Sequence, residues 1–364
     1  METIHLVCAA RPNFMKIAPL YHALRKEPWA NPVIVHTGQH YDLNMSDNFF
    51  RDLNLPEPHI HLGVGSGSHA EQTGQVMINY EKILQKENPD LVVVVGDVNS
   101  TMAASIAAVK LGIKVAHLEA GLRSFDRTMP EEINRLVTDS LADLLWTPSQ
   151  DADNNLISEG VSPEKIHCVG NIMIDSLEMM REKIGKQEIF KRFGLVPGGY
   201  GVVTLHRPSN VDNLENLLSL CTVLNDISQK IPLIFPIHPR TKKNLVNGNF
   251  LDFLMQTKNL HCPEPLSYIA FLNLVVNCRF VITDSGGIQE ETTYLTIPCF
   301  TLRPNTERPI TITQGTNQLC DFKTIGQKVK DVLASHPSKK SPIPLWDGKT
   351  AVRVIHSIKN FLNV

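Results

Sequence analysis

Short apolar runs, each bounded by polar turns, alternate along this chain with longer amphipathic stretches, the pattern of βαβ units built around parallel sheets. Strand-like runs occupy residues 4–8, 33–36, 91–95, 114–117, 145–147 and 166–169. After an interruption at Phe193-Gly194-Leu195-Val196-Pro197-Gly198-Gly199-Tyr200 the series restarts at 201–205, 233–237, 260–262, 280–283 and 299–302. Helical patterns fit between them, as at 15–26, 72–87, 101–111 and 214–230. The interruption reads as a loop near a domain seam, and 364 residues exceed one ordinary core. Two Rossmann-like halves are therefore expected. A ligand of such a chain belongs at the C-terminal ends of its strands.

Composition narrows the function classes. A formal charge of −2 argues against a general nucleic-acid or membrane-surface protein, so any bound anion is held locally. With 42% hydrophobic and 20% charged residues the chain has the balance of a folded enzyme. Its seven cysteines include no C-x-x-C pair, which predicts reduced thiols and a cytoplasmic setting. The N-terminal residues lack a basic leader followed by a long apolar run, and no apolar run approaches spanning length, so Met1 is read as the start of a first strand and no membrane is expected. Gly63-Val64-Gly65-Ser66-Gly67-Ser68 is not a dinucleotide fingerprint. The fourteen histidines show no paired-ligand spacing, so neither a metal nor a cofactor is expected.

The polar constellations fall just past predicted strands. In Asp284-Ser285-Gly286-Gly287-Ile288-Gln289-Glu290-Glu291, the serine and glycines leave backbone N–H groups uncovered at a helix start, where partial positive charge favours phosphate. Glu291, about one and a half turns on, suits ribose hydroxyls. The plain alternative is a Gly-rich turn whose acids complement the helix dipole. Arg11 and Lys16 follow the first strand and can present a planar fork and a point charge to phosphate, or be solvated cations. Asp97, after the run 91–95, is an acid/base candidate or a helix cap. Glu119, Arg123, Glu131, Glu132 and Arg135 crowd acids and arginines into an otherwise apolar region, although Glu131 and Arg135 also suit an i,i+4 ion pair. His206, beside Arg207, can donate to phosphate or shuttle a proton, and His238 recurs in a similar setting.

These residues carry a resemblance. Arg11-Pro12 with Lys16, His36-Thr37-Gly38-Gln39-His40-Tyr41, Gly96-Asp97, His117-Leu118-Glu119-Ala120-Gly121-Leu122-Arg123-Ser124, Pro130-Glu131-Glu132-Ile133-Asn134-Arg135, Leu205-His206-Arg207, the segment from Asp284 to Glu291, and Thr306-Glu307-Arg308-Pro309 stand in the order found in one family. The chain resembles the non-hydrolysing UDP-N-acetylglucosamine 2-epimerases over nearly its whole length. It departs from their commonest pattern at Asn13, Val98 and Ile310, where an acid, a threonine and an acid are frequent.

The resemblance implies an α/β fold of the glycosyltransferase-B type, with two Rossmann-like domains whose mainly parallel sheets face a central cleft. Residues 1–168 plus 346–364 would carry the acid/base carboxylates and residues 169–345 the UDP, with a last helix at 351–362 returning to the first domain. It also implies a chemistry. UDP is eliminated across C1–C2 to give a 2-acetamidoglucal and adds back with C2 reprotonated on the opposite face, interconverting UDP-N-acetylglucosamine and UDP-N-acetylmannosamine for surface polysaccharide. By the same resemblance Asp97, Glu119 and Glu131 are the acid/base groups. His206, Arg11, Ser285, Gly286 and Gly287 hold the departing diphosphate, Glu291 holds the ribose, and Lys16, Arg135 and Arg308 line the site. Gln39, His40 and His238 could serve a second, activating UDP-N-acetylglucosamine, and relatives are typically homodimers. The alternatives are a UDP-2,3-diacetamido-2,3-dideoxyglucuronate 2-epimerase and a glycosyltransferase of the same architecture.

Overall fold

The computed structural model describes residues 1–38, 50, 52–335 and 341–364, and of Arg11 its backbone only. Its internal contacts divide the chain into two units, Met1–Met179 with Pro344–Val364, and Met180–Ile343. The division falls inside the helix Ile172–Gly185, past the seam expected after residue 168.

In the first unit, strands β1 (Glu2–Cys8), β2 (Ala30–His36), β3 (Ile60–His61), β4 (Leu91–Val95), β5 (Val115–Leu118), β6 (Leu144–Thr147) and β7 (Ile166–Cys168) form a parallel sheet in the order β3-β2-β1-β4-β5-β6-β7. Every residue of β4, the continuous run Leu-Val-Val-Val-Val, is buried between β1 and β5, in register Ile4↔Leu91 and Val92↔Val115. Such a run suits a strand covered on both faces, and each buried Val or Leu stabilises by roughly 1.5–3 kcal/mol relative to exposure. One covering helix, His69–Glu87, starts at a capping box in which Ser68 Oγ accepts from Glu71 N–H and the Glu71 carboxylate accepts from Ser68 N–H. It ends where Asn88 turns left-handed at φ 43°. It buries Val76, Tyr80 and Leu84 in the same core as Ala103, Ala104, Ala107 and Ala108 of the helix Asn99–Lys110.

The C-terminal helix, Thr350–Leu362, belongs to this unit. The Asp175 carboxylate accepts from the N–H groups of Thr350 and Ala351, satisfying the start of the helix. Trp146 Nε1 donates to Ser357 Oγ at 2.9 Å on its inner face.

The second unit repeats the plan. Strands β8 (Gly201–Thr204), β9 (Leu233–Ile234), β10 (Leu260–His261), β11 (Phe280–Thr283), β12 (Cys299–Leu302) and β13 (Asn317–Cys320) are parallel in the order β10-β9-β8-β11-β12-β13. Its core includes Val203, Leu220, Leu224, Phe280, Phe300, Ile325 and Val329. The strand expected over 233–237 is shorter because Pro236 has no N–H to give the ladder. Phe235 and Ile237 still donate to His261 O and Pro263 O, so the chain stays extended. The edge strand β13, Asn-Gln-Leu-Cys, and the two-residue β3 carry no long apolar run and escape a search by periodicity.

Both sheets reverse their winding at one point. The first does so between β1 and β4, the second between β8 and β11. In open α/β sheets ligands bind beyond the carboxyl ends of the strands at such points.

Candidate functional site

In the first unit, β1 ends at Cys8 and the helix Arg11–Leu24 begins after two residues. Asn13 fixes that turn. Its Oδ1 accepts from Ala9 and Ala10 N–H, and its Nδ2 donates to Val95 O at 3.1 Å, joining β1 to the end of β4. A carboxylate could take the first two bonds but not make the third. The Arg11 side chain and the residues Gln39 and His40 lie outside the described residues.

Lys16, one turn into that helix, is buried and its Nζ pairs with Glu119 Oε2. Glu119 follows β5 with φ +72°, a left-handed backbone uncommon for a glutamate, and its N–H and that of Ala120 both donate to Trp146 O. Strain of this kind gathers where geometry serves a site. Glu119 Oε1 is buried and has no hydrogen-bond partner among the described residues. Gly96, at φ +67°, closes the same corner. A Cβ there would stand 3.0 Å from Lys16 Nζ and 3.6 Å from Glu119 Oε2.

Asp97, half-buried after β4, accepts from Arg135 Nε at 3.0 Å and from Arg135 Nη2 at 2.6 Å. The expected Glu131–Arg135 pair does not form. Arg135 instead pairs with Glu132, three residues back and buried, whose carboxylate also accepts from Ser124 N–H and Oγ and from Phe125 N–H. Glu132 faces inward to anchor the loop, whereas Glu131, half-buried, makes no hydrogen bond or ion pair among the described residues and is left for a ligand or solvent. Helix spacing permits i,i+3 as well as i,i+4 pairs, so sequence did not separate these two acids.

Beneath them lies a network that the sequence reading missed. His117 Nδ1 meets Asp139 Oδ1 at 2.6 Å and Nε2 meets Gly96 O at 2.8 Å. Asp139 also takes Gly121 N–H and Arg123 Nη1, and Arg123 continues to Glu159. Burial alone would raise the Asp139 carboxyl, but His117, Arg123 and Gly121 outweigh it and hold it below the ordinary range. Asp139 lies in a helix without a motif of its own, which is why spacing gave no sign of it.

In the second unit, the turn after β8 carries His206 and the turn after β11 carries Asp284. Asp284 is completely buried, and its oxygens accept from His206 N–H, from Arg207 N–H at 2.9 Å and from Asn210 Nδ2 at 3.0 Å. His206 Nδ1 stands 3.1 Å from Asp284 Oδ1. Burial again would raise this carboxyl, and its bonds to His206, Asn210 and Arg207 hold it below the usual range. Asp284 therefore fixes the His206 loop from within the fold. His238 is exposed, caps the helix Pro239–Asn247 and stacks at a tilt with its ring 5.3 Å from that of His206. Partial desolvation of the ring first, then the neighbouring His206, lowers its pKa.

Ser285 stands at the N-cap of the helix Gly286–Tyr294 without a side-chain cap bond, leaving first-turn N–H groups for another acceptor. A Cβ on Gly286 would approach Arg308 Nη1 to 2.6 Å and Glu307 Oε1 to 2.8 Å, while one on Gly287 would meet nothing within 4 Å. The first glycine is fixed by packing and the second faces open space. Arg308 is buried in ion pairs with Glu290 and Glu307, so it enters the site as a charge-balanced wall. Glu291 is buried, accepts from Tyr268 Oη at 2.5 Å and has a second oxygen without a partner among the described residues. Burial, reinforced by Glu290, raises its carboxyl to about 8 against the pull of the Tyr268 bond.

Among the described residues no cluster of His, Cys, Asp and Glu could hold a metal ion, no helix is long and apolar enough to cross a membrane, and all seven cysteines are free. A sequence model of the UDP-N-acetylglucosamine 2-epimerases matches residues 22–359. The UDP-N-acetylglucosamine 2-epimerase of Methanococcus maripaludis is 41% identical over 365 residues, 98% of each chain. The UDP-2,3-diacetamido-2,3-dideoxy-D-glucuronate 2-epimerase of Pseudomonas aeruginosa is 37% identical over 317 residues, 86% of each. The UDP-GlcNAc 2-epimerase of Methanocaldococcus jannaschii, solved in complex with UDP-GlcNAc and UDP, superposes with a TM-score of 0.90 at 42% identity, covering 98% of this chain and 99% of that one. The fold is of the glycosyltransferase-B type.

Proposed function

The chain belongs to the UDP-N-acetylglucosamine 2-epimerase family, and from that premise we propose that its units divide one reaction, proton transfer at C2 falling to the first and the holding of UDP to the second. Its activity is that of a UDP-N-acetylglucosamine 2-epimerase. The C2 proton of an N-acetylhexosamine is not next to a ketone, so simple deprotonation is very unfavourable. Elimination avoids it. The C1–O bond to the diphosphate breaks as a carboxylate takes the C2 proton, leaving a C1=C2 double bond. Re-addition reverses both changes with the proton delivered to the other face, and the product is UDP-N-acetylmannosamine.

Two faces call for more than one acid/base group, and Asp97, Glu119 and Glu131 fill that need. The observation that carries the reading is Glu119, a buried carboxylate on a left-handed backbone with one oxygen on Lys16 and the other unpaired. Arg135 steadies Asp97 through two hydrogen bonds. His206, Arg11 and the N–H groups after Ser285 stabilise the departing diphosphate, and Glu291 takes the ribose hydroxyls. Arg308 shapes the wall behind Gly286.

Side-by-side turnover of UDP-N-acetylglucosamine and UDP-2,3-diacetamido-2,3-dideoxyglucuronate, with product analysis, tests the substrate. Faster conversion of the first to UDP-N-acetylmannosamine is expected, and turnover of the second alone would move the assignment to the sugar of the Pseudomonas relative. Asp97→Asn and Glu119→Gln should each lower turnover at least about 100-fold with UDP binding retained, and full turnover in either variant overturns its role. We further assign the product to surface polysaccharide, the enzyme to the cytoplasm in keeping with its free cysteines, and the assembly to a homodimer, which light scattering of the purified protein checks.

A further inference from the structure

Glu291 is placed by the helix Gly286–Tyr294, but its carboxylate is held from elsewhere in the unit. Tyr268 opens the helix Tyr268–Val276, whose start is capped by Ser267 Oγ accepting from Ala270 N–H. From that position its hydroxyl donates to Glu291 Oε1 at 2.5 Å. Rotation about the last side-chain bond of a glutamate is soft and roughly two-fold, so an isolated carboxylate does not present one oxygen in a fixed direction. A hydroxyl donor on Oε1 removes that freedom. Oε2, buried and without a partner among the described residues, is then presented together with the remaining lone pair of Oε1. Two acceptor sites on one rigid edge match the two vicinal hydroxyls of a ribose.

We infer that Tyr268 is a positioning residue for nucleotide recognition, orienting Glu291 so that the enzyme discriminates ribose from deoxyribose nucleotides. The inference rests on Glu291 as the ribose reader and adds the group that makes it selective. In the free protein burial and Glu290 keep the Glu291 carboxyl neutral up to about pH 8, and the Tyr268 bond is the contribution that pulls it towards the ionised form on which two ribose hydroxyls draw. A neutral carboxyl must spend one oxygen as a donor and cannot accept from both hydroxyls. A site built to bond a substrate hydroxyl rejects the analogue lacking it because a buried polar group is then left unpaired.

The test is calorimetric binding of UDP, 2′-deoxy-UDP and 3′-deoxy-UDP to the full-length protein and to Tyr268→Phe and Glu291→Gln, with steady-state kinetics on UDP-N-acetylglucosamine. The unsubstituted protein should prefer UDP over each deoxy analogue by about tenfold or more. Tyr268→Phe should shrink that preference by about fivefold, raising KM while leaving kcat within about threefold. Glu291→Gln should abolish it. Equal weakening of all three ligands by Tyr268→Phe, with the preference intact, overturns the role of Tyr268 while Glu291 stands. An undiminished preference in Glu291→Gln overturns the ribose reading itself.

Discussion

The buried Glu291 carboxyl makes the stability of the second unit depend on pH, and Glu291→Gln, an isosteric neutral replacement, should remove that dependence. In the folded chain burial and the adjacent Glu290 raise this group to about 8, against an ordinary value of 4.5 that the unfolded chain retains. Between those two values the folded state binds one more proton than the unfolded state. The stability tied to this group is therefore fully present below about pH 4.5 and is lost as pH rises through about 8. At about 1.4 kcal/mol per pH unit the loss across the window reaches about 5 kcal/mol, an upper bound because the unfolded chain is not fully solvated. Urea unfolding of both proteins, followed by circular dichroism at steps between about pH 5 and about pH 9, reads the difference directly. The unsubstituted protein should lose about 1.4 kcal/mol per pH unit relative to Glu291→Gln and level off above about pH 8. A difference that stays flat across the range would mean that Glu291 is already ionised in the folded protein, and the account of its surroundings would be wrong.

Three further outcomes follow from the geometry. Asp139→Asn strips the charge partner from buried His117 and Arg123 and should destabilise the first unit by about 3–5 kcal/mol, seen as a lower thermal midpoint; an unchanged midpoint would refute its anchoring role. Lys16→Met leaves the Glu119 carboxylate without its cation and should cut turnover at least about 100-fold with UDP affinity within about threefold, so a variant with full turnover contradicts the pairing. Gly286→Ala drives a methyl into Arg308 and Glu307 and should cost about 1–3 kcal/mol with weaker UDP binding, whereas Gly287→Ala, facing open space, should cost well under that; equal costs at the two glycines would show that packing does not distinguish them.

Which of these features could be read from sequence depends on how local their cause is. The run at β4 declares itself because five successive apolar residues, four of them β-branched and bounded by Pro89-Asp90 and Gly96-Asp97, suit a short strand covered on both faces. Ser285, Gly286 and Gly287 are legible for a similar reason, since a strand followed at once by glycines and a helix leaves few other conformations. The roles of Glu132 and Asp139 are not local. Pro-Glu-Glu followed by Asn-Arg gives two acids of equal standing, and only the position of Ser124 and Phe125 in space selects Glu132 as the anchor. Asp284 illustrates a middle case. Its motif marks it, but its function as the clamp of the His206 loop depends on β8 and β11 being neighbours although Asp284 lies 78 positions after His206 in sequence. Asn13, which departs from the commonest family residue, becomes intelligible only through its bond to Val95 O. The edge strand β13 shows the opposite limit, where tertiary pairing imposes a strand on a sequence with little intrinsic signal.

An elimination that releases and recaptures UDP obliges the C2 proton of UDP-N-acetylglucosamine to leave and be replaced during turnover. Nuclear magnetic resonance of UDP-N-acetylglucosamine incubated with the protein in D2O follows substrate, product and exchange in one experiment. Deuterium is expected at C2 of UDP-N-acetylmannosamine and of recovered UDP-N-acetylglucosamine, with no accumulation of free N-acetylmannosamine. Product formed with hydrogen retained at C2, or substrate left unchanged, would contradict it.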